Sequence, residues 1–305
     1  MYNKTVKICL ILGGIVIISP IFFGILGVIF PAFGYFPILG GNSLSFKFFL
    51  ELFTIPGIMQ SILLSFSSGV FSTLLALLFS QIILIYTYDT KIFYYLKICI
   101  SPLLALPHLT MAVGLLFLMS SSGLIIRIFS PWFTGFDRPP EIYLIPDQYG
   151  LSLILGLTLK EIPFFLLTSI AALEQFPSRK IFKVGRSLQH SVFSTWWLLL
   201  FPIIYQRIRL VIFIVIAFSS SVIDMALILA PTTPSTLSIR ILNIYQSFEF
   251  DAIFAASNLA LVQLLLILII MLIWNRVEIV FKTQLIYLFL IKFLPRKNLI
   301  IGKHL

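Results

Sequence analysis

Three ionisable residues, Lys160, Glu161 and Asp224, fall inside long apolar stretches of this chain. A charge near the centre of a bilayer costs about 2.5–3.5 kcal/mol on insertion scales, so each should face the protein interior, a cavity or a partner. Asp224 closes a polar run, Ser219-Ser220-Ser221-Val222-Ile223-Asp224. Ser220 and Asp224 are four apart, which predicts one shared helix face. Such a stripe either lines a water-filled path or hydrogen-bonds to a neighbouring helix, and the residues alone leave both open. Lys160 and Glu161 are adjacent and so do not face each other. Pro163 should kink their span by removing a backbone bond. Ser220, Asp224 and Glu161 are therefore the candidate lining of a translocation path.

Other chemistries find no residues. His108, His190 and His304 are scattered, and no His, Cys, Asp and Glu set has metal-ligand spacing. No Ser, His and Asp combination suggests a nucleophile, and no glycine-rich phosphate loop is present. No catalytic residue, metal or cofactor is expected, and ATP binding by the chain itself is not expected. Cys9 and Cys99 each begin an apolar stretch and read as small packing residues rather than a disulfide framework.

The elements that hold these residues follow from composition. The chain has 305 residues, 60% hydrophobic and 10% charged, with mean hydropathy +1.09. A soluble domain could not cover such a surface with polar groups, so the class is an all-α polytopic membrane protein. With about 20 apolar residues per span, six are predicted: residues 8–30, 55–86, 98–120, 151–173, 208–230 and 252–274. The run after Lys4 and Lys7 is too long for a signal-peptide core and reads as an uncleaved first span.

Residues 1–275 thus form a transmembrane domain and residues 276–305 a basic tail. Lys and Arg orient the domain. With the N-terminus in the cytoplasm, sixteen of the 21 lie inside and four (Lys47, Arg127, Arg138 and Arg240) outside, so both ends are expected in the cytoplasm. The net charge of +10 sits in short loops and argues for orientation in a bilayer, not for nucleic acid. The segment 279–294 is apolar but interrupted by Lys282 and Lys292; an interfacial helix on the inner face is expected, with a seventh span as the alternative.

The connection 174–207, between the fourth and fifth spans, holds the densest positive charge. Arg179, Lys180, Lys183, Arg186 and Arg207 lie in it, with Arg209 just beyond. Residues 178–189 read as a short amphipathic helix, with Pro177 ending the preceding helix and Ser178 as its N-cap. Ile181, Phe182, Val184, Gly185 and Leu188 form its apolar stripe. A solvated connecting loop satisfies the same composition.

This loop resembles the cytoplasmic loop of permease subunits of binding-protein-dependent ABC importers of the type I fold. The family pattern is Glu-Ala-Ala, three residues, Gly, nine residues, Ile, one residue, Leu-Pro. Setting its proline on Pro202 puts the other positions at Lys183, Val184, Gly185, Gln189, Leu199 and Phe201. Gly185-Arg186-Ser187-Leu188 is similar to the Ala-Arg-Ser-Leu common there. Lys183 departs from the acidic position and Gln189 from the glycine. Gln60-Ser61-Ile62, Leu106-Pro107, Ile162-Pro163-Phe164 and the run from Asp224 to Pro234 extend the resemblance over most of the chain, nearest the branch serving thiamine, polyamines, iron and oxyanions.

The resemblance implies a bacterial inner-membrane subunit forming half of a pore. Phe182, Lys183, Val184, Gly185, Arg186, Ser187, Leu188, Gln189 and Pro202 would form the coupling element that engages a cytoplasmic ATPase dimer. The other implied partners are a second permease subunit and an extracytoplasmic solute-binding protein. The alternatives are an ion-coupled secondary transporter using Asp224 and Glu161, and a membrane-embedded enzyme, for which no constellation exists.

Overall fold

The computed structural model describes residues 4–46, 49–50, 52–138, 140, 145–247, 249 and 251–293. Lys47, Pro139, Glu141 and the tail from Leu294 onward lie outside the described residues. Its helices, joined by turns and irregular segments, are α1 (Lys4–Ala32), α2 (Ile58–Thr87), α3 (Lys91–Ala105), α4 (His108–Met119), α5 (Leu124–Phe129), α6 (Leu151–Glu174), α7 (Ser178–Ser187), α8 (Val192–Thr195), a π-helical turn (Trp196–Leu200), α9 (Phe201–Ser221), α10 (Ala226–Leu229), α11 (Leu237–Tyr245) and α12 (Ala252–Phe293). Six stretches among the described residues are long and apolar enough to cross a membrane: Val6–Ala32, Ile58–Thr87, His108–Phe129, Leu151–Glu174, Val192–Ser221 and Ala252–Val280.

The centre is made by α2, α6 and α9, which pack on one another. Close approach is possible because α2 carries a stripe of small polar residues: Ser61, Ser65, Ser68, Ser72 and Ser80 are buried at helical spacing. Their hydroxyls bond mainly to the carbonyls of the preceding turn, so they add no unmet polarity to the contact. At Gly69 a Cβ would lie 1.9 Å from the Ser220 hydroxyl of α9. Outside this core, α1 packs along α12, and its most apolar window is unburied within the chain, as a lipid-facing span should be.

Two predicted spans differ from the helices. The third, expected at 98–120, is broken at Leu106 and Pro107, both extended, with α3 below and α4 above. Proline pushes its predecessor out of the helical region and removes one donor, which is the physical cause. The fifth, expected at 208–230, begins at Val192 and ends at Ser221. Arg207 and Arg209 mark a loop by charge, yet the helix runs through them. Arg209 bonds Glu278 and Asn275 of α12, each at 2.8 Å, and Arg207 lies 4.9 Å over the Phe176 ring. α6 is helical on both sides of Pro163, from Leu151 to Glu174. Beyond the expected sixth span, α12 runs on unbroken to Phe293; its 42 residues span about 63 Å at 1.5 Å per residue. Residues 279–293 therefore continue its axis.

Candidate coupling and translocation sites

Beginning with the loop, α7 is a short basic helix with one face fixed. Ser178, Phe182 and Gly185 are buried; Arg179, Lys180, Lys183, Val184, Arg186, Ser187 and Leu188 are exposed, Val184 and Leu188 each at 57%. Ser178 is not the N-cap. The cap position is Pro177, and the Ser178 hydroxyl instead donates to the Leu173 carbonyl at 2.8 Å while accepting from the Tyr88 hydroxyl at 2.8 Å. This chain ties the ends of α2 and α6 to the start of α7. Burial pushes the Tyr88 phenol up, against the lowering effect of its bond to Ser178, so it remains the donor.

Around Tyr88 stand Phe93, Phe182 and Trp196, with ring centroids 5.3–5.5 Å apart at steep angles. Phe182 therefore anchors α7 to the bundle and does not face a partner, contrary to its expected place on the coupling surface. A half-open recess of about 460 Å³ lies beside it, lined in part by Tyr88, Val192 and Phe193.

The motif positions have physical reasons here. At Gly185 a Cβ would lie 2.5 Å from Thr195 Cγ2, so the position takes the smallest residue. Gln189 has φ 63°, the left-handed region that suits glycine. It closes α7 by a Schellman turn: His190 N–H bonds Gly185 O at 3.4 Å and Gln189 N–H bonds Arg186 O at 3.1 Å. Pro202, which lacks an N–H, sits in the first turn of α9. Directly upstream the chain makes a wide turn in which Phe201 N–H bonds Trp196 O, five residues back.

A second constellation lies midway along the spans. Lys160 is buried, and its ammonium donates to Leu104 O at 3.2 Å and to Leu106 O, capping the carbonyl end of α3 at the Leu106–Pro107 break. The Glu161 carboxylate points to the other side of the break. Its Oε1 is 3.8 Å from Nε2 of His108, the first residue of α4. The His108 ring packs on Phe218 of α9 at 4.8 Å.

Ser220 and Asp224 do not share a helix face. After Ser221 the chain turns extended at Val222, and the Asp224 carboxylate accepts from Met225 N–H at 2.9 Å ahead of α10. Ser220 is buried against Gly69 with its hydroxyl on Ile216 O, so it packs helices together and does not line an open path. Glu161 is brought to His108, a neighbour that sequence reasoning missed; Leu106-Pro107 directly before it was the available signal.

On the opposite face from α7, Asp147 secures the start of α6. Its carboxylate accepts from the N–H groups of Tyr149 (3.1 Å), Leu151 (2.8 Å) and Ser152 (2.7 Å) and from the Ser152 hydroxyl. Burial alone would raise its pKa; the bonds from Ser152, Leu151 and Tyr149 outweigh that and hold it below the usual value. Gly150, at φ 71°, turns the chain into the helix.

Six apolar helices around a core of small polar residues, with no His, Cys, Asp or Glu group able to hold a metal among the described residues, define a polytopic helical membrane protein. The chain is similar to the inner membrane ABC transporter permease protein YnjC of Escherichia coli (strain K12), at 29% identity over 201 residues. The match covers 65% of this chain and 37% of that protein, so the chain spans little more than a third of its relative's length. The relative is an ABC transporter permease, as are the proteins that residues 183–202 resemble. No family model matches the chain.

Proposed function

We propose that the chain is a permease subunit of an ATP-driven ABC importer, forming half of a pore for a small solute and coupled to a cytoplasmic ATPase dimer through residues 178–189. The observation that carries this is the two-sided character of α7. One face is locked into the bundle by Phe182 and Gly185, and the other presents Val184 and Leu188 amid Arg179, Lys180, Lys183 and Arg186. A rigidly seated helix with an uncovered apolar and basic face suits the transmission of a partner's movement. The similarity to an ABC transporter permease supports the same reading.

In this reading a second permease subunit completes the pore, and a solute-binding protein delivers the solute on the face opposite α7. The functional elements are then the exposed coupling residues Lys183, Val184, Arg186, Ser187 and Leu188, with Gln189 and Pro202 shaping the element. Glu161 and Asp224 line the path. The test is to purify tagged chain from its native membrane in mild detergent. A P-loop ATPase should co-purify and be lost with Leu188→Asp, while the variant still inserts. Recovery without an ATPase, or an unchanged complex with Leu188→Asp, refutes the coupling role.

The approach of Glu161 to His108 inside the spans favours a second reading, an ion-coupled secondary transporter using Asp224 and Glu161. Uptake into ATP-free vesicles driven by a proton gradient alone, and abolished by Glu161→Gln, would establish it over the first.

A further inference from the structure

The stretch from Leu124 to Phe136 carries an apolar stripe that is exposed in the chain. It follows α4 through the turn Ser120–Gly123, and α5 packs against α4. The helix stops at Ser130, which is extended, and after Pro131 the chain makes a separate turn in which Phe133 N–H bonds Phe129 O at 2.8 Å. Leu124, Ile125, Ile128 and Phe129 lie on α5, and Trp132 and Phe133 lie on the turn that follows it. All six are exposed, Trp132 at 91% and Phe133 at 88%. Arg127 and Arg138, also exposed, flank the stripe.

Its position says what covers it. The stripe is continuous with the end of the candidate span His108–Phe129, so it begins where lipid already covers the chain. Indole and phenyl rings at the tip of an aliphatic stripe, with guanidinium groups beside them, are the chemistry of the headgroup–acyl boundary. Ring faces enter the acyl edge, the indole N–H meets carbonyl or phosphate oxygens, and the cations meet phosphate.

We propose that α5 ends the span His108–Phe129 and that residues 130–136 after it are an interfacial anchor at the bilayer surface on the face opposite α7. Trp132 and Phe133 sit at the acyl boundary, and Arg127 and Arg138 sit among the lipid phosphates. The anchor removes this half of the connection between α4 and α6 from water. A soluble partner on that face then meets residues 145–150 and the segment around α11 instead.

The test is tryptophan fluorescence of the full chain in liposomes of phosphatidylcholine and phosphatidylglycerol, made with lipids brominated at a shallow or a deep acyl position. The chain has four tryptophans, so the Trp132 signal is read as the difference from Trp132→Phe, which leaves the buried Trp196 in place. We expect that component to be quenched at least twofold more by the shallow bromolipid than by the deep one, and to resist acrylamide. Quenching by acrylamide and by neither bromolipid would overturn the anchor. So would lipid quenching that disappears as protein density rises, which would mean that a second copy covers the stripe. Protection from acrylamide in native membranes but not in liposomes would assign the stripe to a protein partner and overturn it as well.

Discussion

Gln189 shows how one side chain records the demands of a turn. Its φ of 63° closes α7, and a Cβ at such an angle costs about 1 kcal/mol relative to glycine. Gln189→Gly should therefore raise the thermal unfolding midpoint in detergent, by about 2 °C for a chain of this size. A lowered midpoint would mean that the glutamine side chain contributes more than the backbone strain removes. Leu188→Asp, one residue earlier, should leave the midpoint within about 1 °C because the side chain is exposed. Phe182→Asp should instead lower it severely, since that ring is packed against Tyr88. The pair separates the face proposed to dock from the face that anchors.

At the scale of elements, the organising feature is the broken span α3–α4 gripped by two adjacent residues of α6. Lys160 takes the carbonyls below the break, and Glu161 approaches His108 above it. Lys160→Met keeps the length of the side chain but leaves Leu104 O and Leu106 O without their cation. It should destabilise the protein by about 2 kcal/mol, with Lys160→Arg less harmful, both read by denaturation in detergent. Asp147 plays the corresponding part at the start of α6, and its effect depends on pH. Its folded pKa is depressed, so its stabilisation is present above the unfolded value near pH 4 and is lost as pH falls through the folded value. Asp147→Asn should cost about 1 kcal/mol at pH 7. The difference from the parent should shrink as the medium is acidified below pH 4; a constant difference would show that the charge is not the source.

For the whole molecule, the positive charge predicts both ends on the side of α7. A reporter fused after Leu305 should give a cytoplasmic signal, and an extracytoplasmic signal would overturn that orientation. The same orientation puts the proposed anchor and Asp147 on the outer face, where modification by an impermeant reagent reads their side independently.

Much of this was legible in the residues. Apolar run length determined the class and the number of spans, because a bilayer core about 30 Å thick imposes one length on every crossing helix. The basic, amphipathic character of residues 178–189 and the spacing to Pro202 marked the loop proposed to couple to an ATPase. Its small position at Gly185 is explained by contact with Thr195, and its missing glycine at Gln189 by a backbone angle that glutamine tolerates at a cost. Tertiary structure decided the rest, because it depends on which groups meet across helices. Phe182 turned inward because Tyr88 and Trp196 were there to receive it. The helix ran through Arg209 because Glu278 and Asn275 met its guanidinium. Ser220 became packing because Gly69 stood opposite, and Lys160 became a cap because the Leu106–Pro107 break exposed carbonyls beside it. Hydropathy and spacing describe a helix against a uniform solvent; partners on neighbouring helices, close to it in space but remote in sequence, decide where it bends, stops or carries a charge.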